Sequence, residues 1–112
     1  MSQTMVVVAA EGLGRGDEDL GRRLMVRFLA QLAMLDNKPH VVAFYNAGVK
    51  LLVHESPVLD ILHAFEREGT DLIACGTCVE HFAIRDHLAI GRVSDMREIV
   101  ASMQAADKVI TA

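Results

Sequence analysis

Met5–Ala10 is apolar, β-branched at three consecutive positions and free of polar alternation. A strand with one wet face alternates, so an unbroken run of this kind points to a strand buried on both faces. His40–Tyr45 and Asp71–Ala74 repeat the pattern, and Asp107–Thr111 supplies a last candidate. Ala89-Ile90 is a further brief strand in this reading. Helical periods lie between these runs. Asp17 caps a helix expected to reach about Leu35, with Leu20, Leu24, Phe28, Leu32 and Leu35 as its inward stripe. Pro39 stops what precedes it. Ser56-Pro57 reads as a second helix start, Val58, Leu59, Leu62 and Phe65 as its inner face, and Gly69 as its C-terminal cap. Val49–Val53 fits either an extended piece or a helical turn. Val79–Leu88 reads as a short helix followed by loop. Asp95 and Glu98 have capping-box spacing, opening a helix through about Gln104 with Met96, Ile99, Val100 and Met103 inside. Alternation of blunt strands with helices predicts an α/β fold, a mostly parallel sheet covered on both faces.

The chain has 112 residues and reads as one domain, 1–112. It is 52% hydrophobic with no tryptophan, so its core is aliphatic and part of that surface is expected to face a partner. Fifteen acidic against 11 basic residues give a charge of −4. Nucleic-acid binding needs a basic footprint for the phosphates. The nearest candidate, Arg22, Arg23 and Arg27, is flanked by Asp17, Glu18 and Asp19 and reads as a solvated helix face. No apolar stretch approaches the roughly 20 residues of a membrane-spanning helix. Met1-Ser2-Gln3-Thr4 carries no basic leader region. A cytoplasmic setting is the expectation, and there two close thiols stay reduced.

The only two cysteines lie in Cys75-Gly76-Thr77-Cys78, where a predicted strand ends. Parallel sheets bind ligands at the carboxyl ends of their strands. A helix starting near Thr77 or Cys78 would lower the Cys78 thiol pKa through its free amides. Gly76 permits a tight turn, and the Thr77 hydroxyl can cap. Three readings remain open at this point. The cysteines can be small buried hydrophobes. Cys75, Cys78 and His81 can be metal ligands, although structural zinc wants four. Thiol chemistry, by sulfur transfer or disulfide exchange, is the third.

Several separated segments together resemble the DsrE/DsrF-like superfamily, and most of all the C-terminal domain of YedF-like proteins of selenium metabolism or sulfurtransferase type. They are Gly14-Arg15-Gly16-Asp17 with Leu20-Gly21, Phe44 through Leu51, Ser56-Pro57-Val58-Leu59, Cys75-Gly76-Thr77-Cys78, and Gly91, Met96, Ile99-Val100 and Ala106 through Ile110. The resemblance implies a three-layer α/β/α sandwich with a mainly parallel five-stranded sheet, and homo-oligomers. It implies a persulfide-carrying cysteine that passes sulfur between proteins, placed here at Cys78 with Cys75 as its companion. Full YedF-like proteins carry an N-terminal TusA-like domain, so a separate TusA-like sulfur carrier is the expected donor. No cofactor is needed for such exchange.

Asn46 and Lys50 follow the second strand and are expected beside the thiols, Lys50 to steady a thiolate or anion. His81 and Arg85 are candidates for the same work. Gly12, Gly14 and Gly16 match neither phosphate-binding nor dinucleotide spacing, and capping by Asp17 accounts for their loop. Met25 and Met34 are candidates for a partner-facing surface or for core filling. The expected function is a sulfur-relay protein of sulfur or selenium metabolism. Its alternatives are a non-catalytic oligomeric adaptor and a thiol-disulfide or metal-binding protein.

Overall fold

The computed structural model describes residues 3–112, and the leader reading at Met1 and Ser2 lies outside the described residues. The blunt apolar runs become β1 (Thr4–Val8), β2 (Val41–Phe44) and β3 (Asp71–Cys75), joined by β4 (Arg92–Ser94) and β5 (Lys108–Thr111). They form one sheet in the order β4-β3-β2-β1-β5, and every neighbouring pair is parallel. Parallel pairing demands crossovers, supplied by α1 (Glu18–Ala33), α2 (Leu59–Arg67), α3 (Gly76–His81) and α4 (Met96–Ala105). Side chains alternate across the sheet. Val6, Val8, Val42, Phe44, Leu72 and Ala74 meet Met25, Leu29, Leu32, Leu62 and Phe65 on one side. Met5, Val7, Val41, Ala43, Ile73 and Cys75 meet Ile99 of α4 on the other. This is the expected α/β/α sandwich.

Local chemistry sets most boundaries. Asp17 accepts from Leu20 N–H at 2.8 Å and opens α1. Gly69, with φ at 91°, follows α2 as predicted, and the Thr70 amide reaches back to the Phe65 carbonyl. Asp95 accepts from Glu98 N–H at 3.0 Å. The reciprocal half of that capping box is missing, because the Glu98 carboxylate turns to Arg92 and Ser94 instead.

Four expectations are corrected. The inward stripe of α1 is Gly21, Met25, Leu29 and Leu32, whereas Leu20, Leu24 and Leu35 are exposed. Two glycines select that face: the Leu13 amide donates to Gly21, and a Cβ on Gly12 would lie 3.1 Å from the Gly21 carbonyl carbon. A side chain at Gly12 would press the Gly21 backbone, so glycine there lets the loop lie against this face of the helix. Met25 is therefore core, and Met34, 75% exposed, is surface. Second, Ser56 makes a turn with Val58 N–H, so α2 begins only at Leu59. Third, Ala89 donates to Leu52 and Gly91 turns the chain at a φ of 85°, which delays β4 to Arg92. Fourth, Met96 and Val100 of α4 are exposed, and of the expected inner face Ile99 alone is buried. The open alternative at Val49–Val53 resolves as a 3-10 helix over Asn46–Leu52, which Val53 leaves to bridge Leu88.

Candidate functional site

β3 ends on Cys75, and that residue is also the N-cap of α3. Strand alternation sends its side chain to the α4 face, where it is 3% exposed. α3 starts at Gly76, earlier than expected. A Cβ on Gly76 would come within 2.8 Å of the Ser94 carbonyl oxygen, so glycine is what lets the first turn of α3 lie on the end of β4. Cys78 follows two residues into that turn. It is half-buried and touches the apolar clusters of both sheet faces.

A third strand end completes the site. The chain leaves β2 at Tyr45, whose amide bonds to the Val8 carbonyl, and Asn46 adopts a left-handed φ of 51°. Asparagine tolerates that region better than most residues. The turn aims the Asn46 backbone N–H at Cys78 Sγ, 3.0 Å away. Gly48 makes the turn possible, because a Cβ there would lie 2.1 Å from the Val8 carbonyl oxygen. Both thiols are free.

The expected drop in the Cys78 pKa does not occur. Burial pushes the thiol above its ordinary value, and the neighbouring Cys75 side chain pushes it further. The Asn46 amide pulls the other way without prevailing. A six-residue helix aligns few peptide dipoles, so its start does not offset the desolvation of a half-buried sulfur.

The remaining predicted residues divide. Asn46 joins the sulfur through its backbone, not its side chain. Lys50 sets its Nζ 4.4 Å from the Phe82 ring centroid and lines a cleft of about 390 Å³ with Glu11, Glu55 and His87. His81 is exposed at the end of α3 and meets the Phe82 ring edge-on at 5.0 Å. Thr77 is exposed and does not cap α3. Arg85 is engaged by Glu80 at 2.5 Å. The glycine loop lines a separate cleft of about 410 Å³, with Arg15, Asp17 and Arg22. Among the described residues, His, Cys, Asp and Glu form no group of three placed to hold a metal ion, and no helix is long and apolar enough to cross a membrane.

Two features escaped the sequence reading. Arg92 bridges Asp71 of β3 and Glu98 of α4, at 2.8 and 2.5 Å, and Ser94 donates to the same Glu98 carboxylate. The network ties β4 to its neighbours beside the site. It raises the Arg92 pKa and holds Glu98 down at about 2, through hydrogen bonds from Arg92 first and Ser94 second. Phe82, which caps the C-terminal end of α3, is the seat of Lys50.

The chain belongs to the DsrE/DsrF-like family, whose model matches residues 16–112. Three solved structures share its fold. MTH1491 from Methanobacterium thermoautotrophicum, a protein of unknown function, aligns over 100% of both chains with 18% identity and a TM-score of 0.74. The ychN protein from E. coli aligns over 100% of both at 17% and 0.69. BT1422 from Bacteroides thetaiotaomicron, a conserved protein of unknown function, aligns over 98% of this chain and 95% of its own at 16% and 0.67. No curated protein matches the chain.

Proposed function

We propose that this DsrE/DsrF-like protein is a sulfur-relay protein of sulfur or selenium metabolism, of YedF-like type, with Cys78 as the acceptor of sulfane sulfur. One observation carries the reading: a half-buried sulfur at the meeting of three strand ends receives a backbone N–H from Asn46. An N–H on sulfur favours its anionic form, which is the nucleophile. Cys78 thiolate attacks the terminal sulfur of a donor persulfide. The donor leaves as a thiolate, Cys78 becomes the persulfide, and no cofactor takes part. Burial raises the resting thiol's pKa, so on this reading loading depends on a docked donor. A separate TusA-like carrier in the cytoplasm fits that part.

The rival is a non-catalytic oligomeric adaptor. The raised thiol pKa and the outward stripe of Leu20 and Leu24 on α1, with Leu35 just past its end, favour it. That stripe suits a homo-oligomer under either reading. Intact mass after exposure to a persulfide donor separates the two. A reductant-reversible gain of one sulfur, lost in Cys78→Ser and kept in Cys75→Ser, supports the relay. No gain in any form, with thiols titratable only after unfolding, supports the adaptor.

A further inference from the structure

The two thiols differ in what can reach them. Cys75 is packed with Met5, Val7, Ile73 and Ile99 beneath α4, so a second protein has no route to its sulfur. Cys78 meets solvent. Cys75 nonetheless has one sulfur within reach. The pair occupies the N-cap and third positions of α3. Residues three apart on a helix hold their Cβ atoms about 5–6 Å apart. Cys78 packs against the cluster that contains Cys75. Closing a disulfide draws the Cβ atoms in to about 3.5–4.5 Å, a shift of about 1–2 Å at the start of a six-residue helix. Gly76, closed against Ser94, holds the first turn of α3 in place over the sheet.

This geometry separates two attacks on a loaded Cys78. An external acceptor approaches from solvent and takes the outer, terminal sulfur. Cys75 lies on the inner side, against Cys78 Sγ. Resting on the persulfide reading above, we infer that Cys75 is an internal resolving thiol, which discharges the Cys78 persulfide as hydrosulfide when no acceptor collects the sulfur. The Cys75 thiolate attacks Cys78 Sγ, and the bond from Sγ to the terminal sulfur breaks. A Cys75–Cys78 disulfide forms, and the terminal sulfur leaves with the bonding pair as HS⁻. The proton of Cys75 passes to solvent. The sulfane sulfur is reduced to sulfide while the two cysteine sulfurs are oxidised to the disulfide, so the step needs no outside oxidant. A small-molecule or protein dithiol returns the pair to free thiols by exchange. The motif thereby limits how long the protein carries reactive sulfur unattended.

The test loads wild type, Cys75→Ser and Cys75→Ala with glutathione persulfide, removes the donor by rapid desalting, and holds each protein without reductant. Intact mass after acid quench and released hydrosulfide are followed together. Wild type should lose its added sulfur, liberate one hydrosulfide per chain and end two hydrogens lighter than the reduced form. That conversion should proceed at a rate independent of protein concentration. Both variants should keep the sulfur, with hydrosulfide release lost. Wild type that keeps its sulfur as long as the loaded variants overturns the inference and leaves the persulfide reading standing. A disulfide found only between chains also overturns it. Variants that are folded by circular dichroism yet take up no sulfur refute the persulfide reading itself.

Discussion

Gly48→Ala is the substitution that most directly probes how the site is held. A methyl group at Gly48 would stand 2.1 Å from the Val8 carbonyl oxygen and 2.8 Å from its carbon, both backbone atoms. Real Cβ contacts essentially never fall below 3.0 Å, so something must yield by about 0.9 Å. Val8 cannot, because it lies in β1 between two strands and its carbonyl already accepts from Tyr45. The 3-10 helix over Asn46–Leu52 must therefore move, carrying the buried Val49, Leu51 and Leu52 with it. Overpacking of a filled core costs about 1–3 kcal/mol. Loss of the Tyr45 or Gly48 hydrogen bond adds about 1 kcal/mol. The expected destabilisation is about 2–4 kcal/mol, a large part of a typical total of about 5–15. Urea unfolding at constant m-value measures it. Alkylation of Cys78 in the folded variant reads the site at the same time, since the Asn46 amide moves with the helix and its pull on the thiol is lost. The thiol should titrate higher still. Gly14→Ala is the control: its φ of 82° penalises alanine, but nothing lies within 4 Å, so it should cost about 1–2 kcal/mol and leave Cys78 unchanged. A Gly48→Ala protein within about 1 kcal/mol of wild type, with an unaltered Cys78 titration, would refute the reasoning.

Three further outcomes follow. Leu29→Ala should cost about 2–5 kcal/mol in urea unfolding, whereas Leu24→Ala, on the outward stripe, should cost well under half as much in the monomer; equal losses would restore the stripe first read from the sequence. Alkylation of Cys78 by iodoacetamide should be slow at neutral pH and climb through and beyond the ordinary thiol range, because burial and Cys75 raise its pKa. A rate already at its plateau near neutrality contradicts this. The Glu98 pKa is lowered in the fold, so its contribution is complete above the ordinary carboxylate value and fades as pH falls toward about 2. Glu98→Gln should therefore flatten the acid limb of stability against pH, and a limb identical to wild type removes the carboxylate from that role.

How much of this was legible depended on what each signal encodes. Blunt runs such as Met5–Ala10 report burial on both faces, which only a covered parallel sheet supplies, so the strands and the layered fold were readable. The 20/24/28 spacing on α1 reports only that a helix is amphipathic. Two apolar stripes about 100° apart compete on this helix, and the docking of Gly12 on Gly21, a contact across nine residues of loop and helix, decides between them. Short segments near the site failed for a related reason. At Ser56 a local turn bond from Val58 N–H competes with the helix start, and at Ala89 a tertiary bond to Leu52 overrides the strand preference. The cysteine pair was readable as a pair. Which sulfur meets solvent was not, because that follows from the strand ending on Cys75 rather than before it.

Backbone, more than side chains, sets the chemistry of this site, and that explains which expectations failed. Lys50 and His81 carry a charge and a titratable ring, yet both are engaged with Phe82. The group that reaches Cys78 is an amide, which every residue but proline possesses and no motif advertises. It is aimed by a left-handed Asn46, which in turn needs a glycine at 48 pressed against β1. The second thiol is held by the same means, since Gly76 against Ser94 fixes the turn between the cysteines. A sulfur served by an amide is supported without a permanent counter-charge, so its resting thiol stays protonated and gains support only as negative charge develops. Under the relay reading proposed above, such a site is quiet in the free chain and depends on what a docked partner changes around the sulfur. Adding a fixed cation beside it separates this view from a merely structural one: Thr77→Lys, at an exposed position next to Cys78, should lower the Cys78 pKa and speed alkylation at neutral pH, more so at low salt than at high. If alkylation is unmoved at any salt while the variant stays folded, Cys78 is too enclosed for an approaching charge to matter, and the relay loses its entry point.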